Sequence, residues 1–273
     1  MFYPQNLHTH GVLCDGRNEY EDTVLKAMEL GLTSIGFSGH SSTTYSNPEY
    51  CMAGDKTAKY KQEIKRLKEK YAEKIDIYCG LEFDMYSNDD LQGYDYVIGT
   101  VHYLKMGEQI VGFDRDANTV KKVIDEYFDG DGMRYAKEYY RQLALLPNYG
   151  RFDIVGHFDI ITKHADTVQF FDENAEEYRN SARDCLYALA EKIPVFEVNT
   201  GGMARGYRKT PYPRKFWLEE IRKAGCGVVI SSDCHDNRFL NYGFKEAAEL
   251  CRACGFQELQ ILTKEGFKGI ALD

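Results

Sequence analysis

The stretch Leu7-His8-Thr9-His10, near the start of the chain, places two histidines one residue apart. Side chains of an extended segment alternate between its two faces, so His8 and His10 would lie on the same face. In that arrangement the two imidazoles could hold one metal ion together. Whether this pair belongs to a larger site, and on which fold, depends on where short apolar runs and further histidines recur along the chain.

Length and composition indicate a folded α/β protein. The chain has 273 residues, of which 43% are hydrophobic and 28% charged, so it is long enough for a sizeable core and is not typical of disorder. We expect residues 1–273 to form one domain. The formal net charge of −9 gives no electrostatic reason to bind nucleic acid or an anionic membrane.

The cysteines and the first residues bear on the cellular compartment. The segment at residues 1–6 lacks the basic region of a signal peptide, and no apolar run approaches membrane-spanning length. Eight cysteines are scattered along the chain, and only Cys251 and Cys254 form a CxxC pair, which we expect to pack inside a helix. Reduced thiols and the missing signal predict a cytoplasmic protein.

Short apolar runs alternate with amphipathic segments of helical length. Strands are predicted at residues 3–8, 33–37, 76–81, 94–101, 152–155, 194–198 and 227–231, with a candidate for one more at 259–262. Helices are predicted at residues 20–30, 55–73, 118–128, 132–146, 173–192, 213–224 and 244–254. Short apolar strands separated by helices are typical of parallel βαβ units. The chain is therefore predicted to form either a barrel or a doubly wound sheet.

Residues able to bind metal stand at the ends of nearly all predicted strands. They are His8, His10, Asp15, His40, Glu82, His102, His157, Asp233 and His235. The carboxyl ends of strands converge on one site in a closed barrel, whereas the outer strands of an open sheet would lie too far apart. This pattern favours the barrel. His164 falls outside it and is interpreted as a surface or substrate-side residue.

The chemistry of these side chains indicates a cluster of several metal ions. Imidazole mixed with carboxylate suits Zn²⁺, Mn²⁺ or Fe²⁺ better than Ca²⁺. Nine ligands exceed the needs of one ion, so at least two ions are implied, and three would use the ligands more naturally. Glu82, central in the set, could bridge two of them. Clustered divalent ions activate a shared water and clamp phosphoryl oxygens, which favours hydrolysis of a phosphate ester.

The strand-end motifs also resemble a known family. In chain order they are His8-Thr9-His10 with Asp15, Ser38-Gly39-His40, Gly80-Leu81-Glu82, Gly99-Thr100-Val101-His102, Gly156-His157 and Ser232-Asp233-Cys234-His235. Together they resemble the PHP superfamily, named for polymerase and histidinol phosphatase, and the match in order and spacing covers almost the whole chain. The resemblance implies a distorted (β/α)7 barrel with a trinuclear metal site.

The resemblance also implies how the ligands are shared. One ion would be held by His8, His10, Glu82 and Asp233, a second by Asp15, His40 and His235, and a third by Glu82, His102 and His157. Every ligand position of the family is filled, although some members have histidine at the position of Asp15. We expect a metal-bridging hydroxide to attack phosphorus in line, with Asp15 or a metal-bound water as the proton donor.

Within the superfamily the chain looks most like the monofunctional histidinol-phosphate phosphatases. The stretches at residues 156–161 and 197–202, the latter continuing to Pro213, carry this likeness, which implies L-histidinol phosphate as the substrate. The second stretch is where such enzymes place an arginine on the phosphate, and both Arg205 and Arg208 qualify. The other basic residue would be Lys163, a departure where arginine is the rule. The loop at residues 41–54, with Tyr45, Glu49 and Tyr50, is a candidate wall for the cationic alcohol.

Two alternatives remain open at this point. The chain could be a PHP phosphoesterase for another substrate, such as a nucleotide, a sugar phosphate or a phosphotyrosine protein, because the metal ligands would be the same. It could also be a non-catalytic metal-binding scaffold, although the complete ligand set argues against this.

Overall fold

Seven parallel strands form the centre of the structure, a computed structural model that describes residues 2–45 and 47–272. The strands of the described residues are β1 (Gln5–Asn6), β2 (Ser34–Phe37), β3 (Asp76–Asp84), β4 (Tyr96–Thr100), β5 (Tyr103–Met106), β6 (Gln109–Gly112), β7 (Ile154–Val155), β8 (Val195–Asn199), β9 (Gly227–Ser231), β10 (Glu258–Thr263) and β11 (Gly266–Ala271). The central sheet has the order β1-β2-β3-β4-β7-β8-β9, and every pairing in it is parallel.

The sheet closes on itself just beyond the ends of β1 and β9. Thr9 pairs with Cys234 in a parallel bridge, in which the His10 N–H donates to the Cys234 carbonyl at 2.9 Å and the Cys234 N–H donates to the His8 carbonyl at 3.0 Å. The α/β barrel prediction is confirmed. The bridge also places His8 and His10 on either side of one paired residue, so both rings lie on the same face, as the alternation predicted.

Helices cover the outside of the barrel. They are α1 (Tyr20–Glu29), α2 (Lys56–Tyr71), α3 (Ala117–Phe128), α4 (Gly132–Leu143), α5 (Glu176–Ala190), α6 (Gly201–Ala204), α7 (Lys215–Lys223) and α8 (Phe244–Ala253). Each long helix buries one apolar face, as in α2, where Tyr60, Ile64 and Leu67 are fully buried while the charged side faces solvent. The seven predicted helices are present, with ends that differ by up to three residues.

A small apolar cluster fills the lower part of the barrel. It contains Leu7, Tyr78, Tyr96, Ile98, Ile154, Val195, Val229 and Leu262. Tyr96 occupies space that two glycines leave open, because a Cβ on Gly36 or Gly80 would lie 2.3 or 2.2 Å from atoms of its side chain. The layer above is polar, since Glu82, Glu197 and Ser231 follow these apolar positions at intervals of two along their strands. The lower layer of the interior is therefore filled by apolar side chains, and the upper layer is lined by polar ones.

Two hairpins lie outside the barrel sheet. Strands β5 and β6, which the sequence analysis did not predict, pair antiparallel around Gly107 and Glu108 and carry the chain from β4 to α3. Gly107 has φ +64°, the conformation that a tight two-residue hairpin requires at its first loop position. The candidate strand at 259–262 is present as β10, but it pairs antiparallel with β11 and not with the barrel.

The remaining expectations concern thiols and membranes. All eight cysteines are buried and none forms a disulfide, and those of the CxxC pair lie at the end of α8, as predicted. Among residues 2–45 and 47–272, no helix is long and apolar enough to cross a bilayer.

Candidate metal centre

The nine residues predicted as metal ligands converge at the carboxyl ends of the barrel strands, around Glu82. The buried Glu82 carboxylate contacts five of the histidines. Its Oε2 lies 2.7 Å from His40 Nδ1, 3.3 Å from His8 Nε2 and 3.6 Å from His10 Nε2. Its Oε1 lies 3.1 Å from His157 Nε2 and 3.4 Å from His102 Nε2. One carboxylate thus has each oxygen facing a different group of imidazoles, the arrangement that a bridging ligand needs.

Asp233 contacts the histidines at the barrel seam. Its Oδ1 lies 3.2 Å from His10 Nε2 and 3.7 Å from His8 Nε2, on the same side of these rings as Glu82. Asp233 has φ +46°, a left-handed conformation that aspartate tolerates better than most residues, so the segment after β9 is not extended there. This turn directs the Asp233 carboxylate toward the cluster. The neighbouring Cys234 is buried, with Sγ 3.0 Å from the Asp236 carbonyl, which fits the packing role expected of it.

Asp15 joins three histidines on the outer side of the cluster. Its Oδ2 lies 3.1 Å from His235 Nε2 and 3.5 Å from His40 Nε2, and its Oδ1 lies 3.5 Å from His10 Nδ1. The rings of His10 and His235 stack with centroids 4.0 Å apart. His10 therefore stands between the group around Asp15 and the group around Asp233.

Mutual distances sort these side chains into three overlapping groups. They are His10, Asp15, His40 and His235; then His8, His10 and Asp233; and then His40, Glu82 and His102. The groups follow the three ligand sets that the family resemblance implies, with three differences. His10 also belongs to the Asp15 group, and Glu82 is not in the group of His8, His10 and Asp233. His40 stands beside Glu82 and His102 where His157 was expected.

Two observations test whether the cluster fits metal ions. Two donors about 2.1 Å from a tetrahedral ion lie about 3.4 Å apart. Apart from His40 Nδ1 and Glu82 Oε2 at 2.7 Å, the separations between imidazole nitrogens and Asp15, Glu82 or Asp233 oxygens are 3.1 to 3.7 Å and scatter around that value. In addition, His8 Nε2, His10 Nε2, Asp15 Oδ1 and Glu82 Oε2 are buried without a hydrogen-bond partner. Buried polar atoms rarely stay unpaired, so atoms of this kind facing one another fit a site for cations.

Electrostatics explain how the cluster holds so many charges. Burial opposes ionisation of Glu82, but the charges of His40 and His8 outweigh it and hold the pKa of this carboxyl well below its usual range. Burial also disfavours protonation of His10, and together with the charges of His235 and His40 it lowers the His10 pKa to about 3. At neutral pH, His10 is thus a neutral imidazole beside ionised carboxylates, the form in which both groups bind metals.

Two carboxylates that the sequence analysis missed hold histidines of the cluster from behind. Glu197 Oε1 lies 2.5 Å from His8 Nδ1, the ring nitrogen that faces away from Glu82 and Asp233. Asp84 Oδ2 lies 3.3 Å from His102 Nδ1 and accepts the His102 N–H at 2.9 Å. The signal in the sequence was a lone acidic residue within an apolar strand, as in Val195–Asn199.

A cavity of about 660 Å³, within the size range of small-molecule sites, opens onto the cluster. Besides six of the predicted ligands, its lining includes the aromatic residues Tyr45, Tyr50, Tyr103, Tyr207 and Tyr212, the acids Asp84 and Asp114, and the bases Arg115, Lys163 and Arg205. Glu49, expected in this wall, is exposed and is not part of the lining. His164, interpreted as a surface or substrate-side residue, is 9% exposed and packs against Tyr207.

The structure places Arg205 and Arg208, which the sequence could not separate, and Lys163 in different surroundings. Arg205 borders the cluster, donating from Nη2 to Asp233 Oδ2 at 2.8 Å and from Nη1 to the Asp233 carbonyl at 2.9 Å. Lys163 lines the cavity, with Nζ 3.4 Å from Asp114 Oδ2. Arg208 is fully buried beneath Tyr212, donates to Thr162 Oγ1 at 2.8 Å and does not line the cavity. Its position suits a structural role better than phosphate binding.

A closed barrel of parallel strands, with clustered histidines and carboxylates at its carboxyl end, is the architecture of a metal-dependent hydrolase. Residues 6–201 match the PHP domain, so the chain belongs to the PHP domain family.

Curated relatives match over nearly the full chain. A protein of Schizosaccharomyces pombe named probable histidinol-phosphatase is 23% identical over 96% of this chain and 90% of its own length. A protein of the same name from Deinococcus radiodurans is 24% identical over 91% of this chain and 92% of its own length.

Solved structures share the fold. A histidinol phosphatase structure from Listeria monocytogenes aligns with a TM-score of 0.75 and 20% identity, covering 89% of this chain and 99% of that one. The structure of a histidinol phosphate phosphatase from Lactococcus lactis, complexed with zinc, L-histidinol and phosphate, aligns with a TM-score of 0.67 and 21% identity, covering 97% of this chain and 98% of that one.

Proposed function

We propose that this protein is a metal-dependent phosphatase that hydrolyses L-histidinol phosphate to L-histidinol and phosphate. The observation that carries the proposal is the convergence of His8, His10, Asp15, His40, Glu82, His102, His157, Asp233 and His235 at one end of a barrel, beside Arg205. The names of the full-length relatives agree with it. Because these ligands come from segments between residues 8 and 235, we treat residues 1–273 as one catalytic domain.

The cluster is proposed to hold three divalent transition-metal ions, Zn²⁺, Mn²⁺ or Fe²⁺. Glu82 would serve two of them, since its two oxygens face different imidazoles, and Asp15 and Asp233 would anchor the outer ligand groups. Such ions, when bound, supply an activated water nucleophile and offset charge on the phosphoryl oxygens. The protein's own part is to hold ionised carboxylates and imidazoles in place before the substrate arrives.

Arg205 and Lys163 are proposed to bind the phosphate. Both line the cavity, where the Arg205 side chain is 33% exposed and the Lys163 side chain 14%, and each pairs with a carboxylate, Asp233 or Asp114. Arg205 offers a planar fork of donors to a phosphoryl group, whereas Lys163 acts as a point charge. Because Arg205 also donates to Asp233, it would orient a proposed metal ligand and the phosphate together.

The remaining cavity wall suits a cationic, aromatic alcohol. Tyr45 and Tyr103 pack edge to face with centroids 4.6 Å apart, and Tyr45 donates to Asp84 Oδ1 at 3.0 Å. Burial opposes ionisation of Asp114, but the charge of Lys163 outweighs it and lowers the pKa of Asp114, so this residue is an anion at neutral pH. Tyrosine faces and carboxylates attract the ammonium and imidazole groups of histidinol.

Phosphate release from three substrates tests the proposal. Histidinol phosphate, AMP and a generic aryl phosphate are compared before chelation, after chelation and after repletion with Mn²⁺ or Zn²⁺. We expect strong preference for histidinol phosphate, lost on chelation and restored by either ion. Equal, slow turnover of all three substrates would assign the chain to another phosphomonoester, and absence of turnover in the metal-loaded protein would favour a non-catalytic metal-binding scaffold.

A further inference from the structure

Glu197 lies directly beneath the proposed metal centre and belongs to none of its three ligand groups. Its side chain is 1% exposed, and both carboxylate oxygens are engaged by donors. Oε1 contacts His8 Nδ1 at 2.5 Å and accepts a hydrogen bond from Ser231 Oγ. Oε2 accepts the His157 N–H at 2.7 Å and the Asn199 side-chain amide at 3.1 Å. With these donors in place, little of either oxygen is left for a metal ion.

The contact with His8 determines which ring nitrogen is available to a metal. A neutral imidazole carries one proton, and a carboxylate acceptor at Nδ1 keeps the proton on that nitrogen. The lone pair of Nε2 then points toward Glu82 Oε2 and Asp233 Oδ1, at 3.3 and 3.7 Å. Glu197 thus sets both the orientation and the tautomer of His8.

The contact with His157 acts on the backbone. The His157 N–H is held at 2.7 Å, just after β7, while its ring Nε2 reaches Glu82 Oε1 at 3.1 Å. One carboxylate on β8 therefore fixes histidines supplied by two other strands. None of its hydrogen bonds reaches Asp15, His40 or His235 on the outer side of the cluster.

We propose that Glu197 is a positioning residue that holds His8 and His157 for metal binding, so that its loss weakens the ions served by these two histidines and spares the ion of Asp15, His40 and His235. This inference rests on the proposed metal centre. It also assigns a role to a carboxylate that does not itself reach a metal ion.

Glu197→Gln tests the inference with almost no change in size. An amide offers one acceptor oxygen and one NH₂ group, so either the His8 Nδ1–H or the His157 N–H would face another donor. Glu220→Gln is the matched control, because Glu220 on α7 is also a buried glutamate, 5% exposed, but pairs with Arg183 on α5 and Lys223 on α7, away from the cluster. Zinc per chain is measured by elemental analysis after dialysis against buffered free zinc.

Zinc content and an NMR signal of His8 are the two measurements of this test. At a free zinc level that fills the wild-type and Glu220→Gln proteins, Glu197→Gln should retain about one ion, with affinity for the others reduced about 10- to 100-fold. With excess zinc and ¹⁵N-labelled histidine, the wild type should show a slowly exchanging His8 ring N–H, and this N–H should exchange faster in Glu197→Gln. Ser231→Ala, which removes one of the donors to Oε1, should cause a smaller loss and remains informative if Glu197→Gln does not fold.

Three outcomes would overturn the inference. They are unchanged zinc affinity in Glu197→Gln, an equal loss in Glu220→Gln, and equally slow exchange of the His8 ring N–H in Glu197→Gln and the wild type. Absence of zinc from the wild-type protein is a different result, because it would remove the proposed metal centre itself.

Discussion

Replacing Glu82 by glutamine should empty two of the three proposed metal positions. Glu82 contacts five imidazoles, with His40, His8 and His10 around one oxygen and His157 and His102 around the other. Glutamine keeps the volume but removes the charge. Breaking a buried ion pair from one side costs about 3–5 kcal/mol, which corresponds to a roughly 150- to 5,000-fold loss of affinity for each ion that depends on Glu82.

Zinc per chain, measured at a fixed free zinc concentration, is the assay. The wild type should hold about three ions, and Glu82→Gln about one, at the Asp15, His40 and His235 group. Phosphate release should fall with the lost ions. Glu220→Gln again controls for the loss of a buried carboxylate elsewhere. Full zinc content with unchanged affinity in Glu82→Gln would refute the bridging role, and loss of a single ion would assign Glu82 to one position alone.

Three further predictions follow from the cavity and the charges around it. Arg205→Ala should raise KM for the phosphate ester about 10- to 100-fold in protein whose metal content is checked, and an unchanged KM would remove Arg205 from phosphate binding. Arg208→Ala should instead lower Tm, because the buried Asp159, 3.5 Å away, loses its ion pair at a cost of about 3–5 kcal/mol; a wild-type Tm together with a raised KM would contradict this. Zinc affinity should rise with pH, because zinc competes with protons for His8 and His40. Burial opposes protonation of these two histidines, but nearby carboxylates outweigh it and raise both pKa values. Equal zinc affinities at pH 5.5 and 7.5 would contradict this prediction.

The barrel was predictable because its pattern is local and repeated. Nearly all of the predicted strands, which span four to eight residues, end at or close to a metal-capable side chain, and parallel strands must bring such ends together. Strand lengths were less predictable, since β1 and β7 pair over two residues only, although their predicted runs were longer. Residues after these short strands, such as His8 and His157, are held by side-chain hydrogen bonds that no period in the sequence reveals.

The hairpin of β5 and β6 was missed for a different reason. Its strands have four residues each and are only partly buried, so their apolar pattern is weak, although Gly107 marks the turn. This hairpin leads into Phe113 and Asp114, and Asp114 became visible as part of the cavity only in three dimensions. Arg205 and Arg208 differ in burial, and two arginines so close in sequence give no indication of which one is buried.

The two carboxylates behind the cluster, Glu197 and Asp84, could not be assigned a partner from sequence for a similar reason. Glu197 stands between apolar residues in β8, and period two places it on the inner face of the barrel, but its partners come from β1, β7 and β9. Which histidine a buried carboxylate supports therefore depends on the register of neighbouring strands. Sequence can indicate that such a residue matters without indicating what it holds.

The most direct test of the account is a metal titration of the chelated protein with phosphate release from histidinol phosphate followed at each addition. We expect no turnover without metal and turnover that grows as ions fill the cluster. The rate of phosphate release should stop rising near three ions per chain. Turnover in the fully chelated protein, or three bound ions with no release of phosphate, would contradict it.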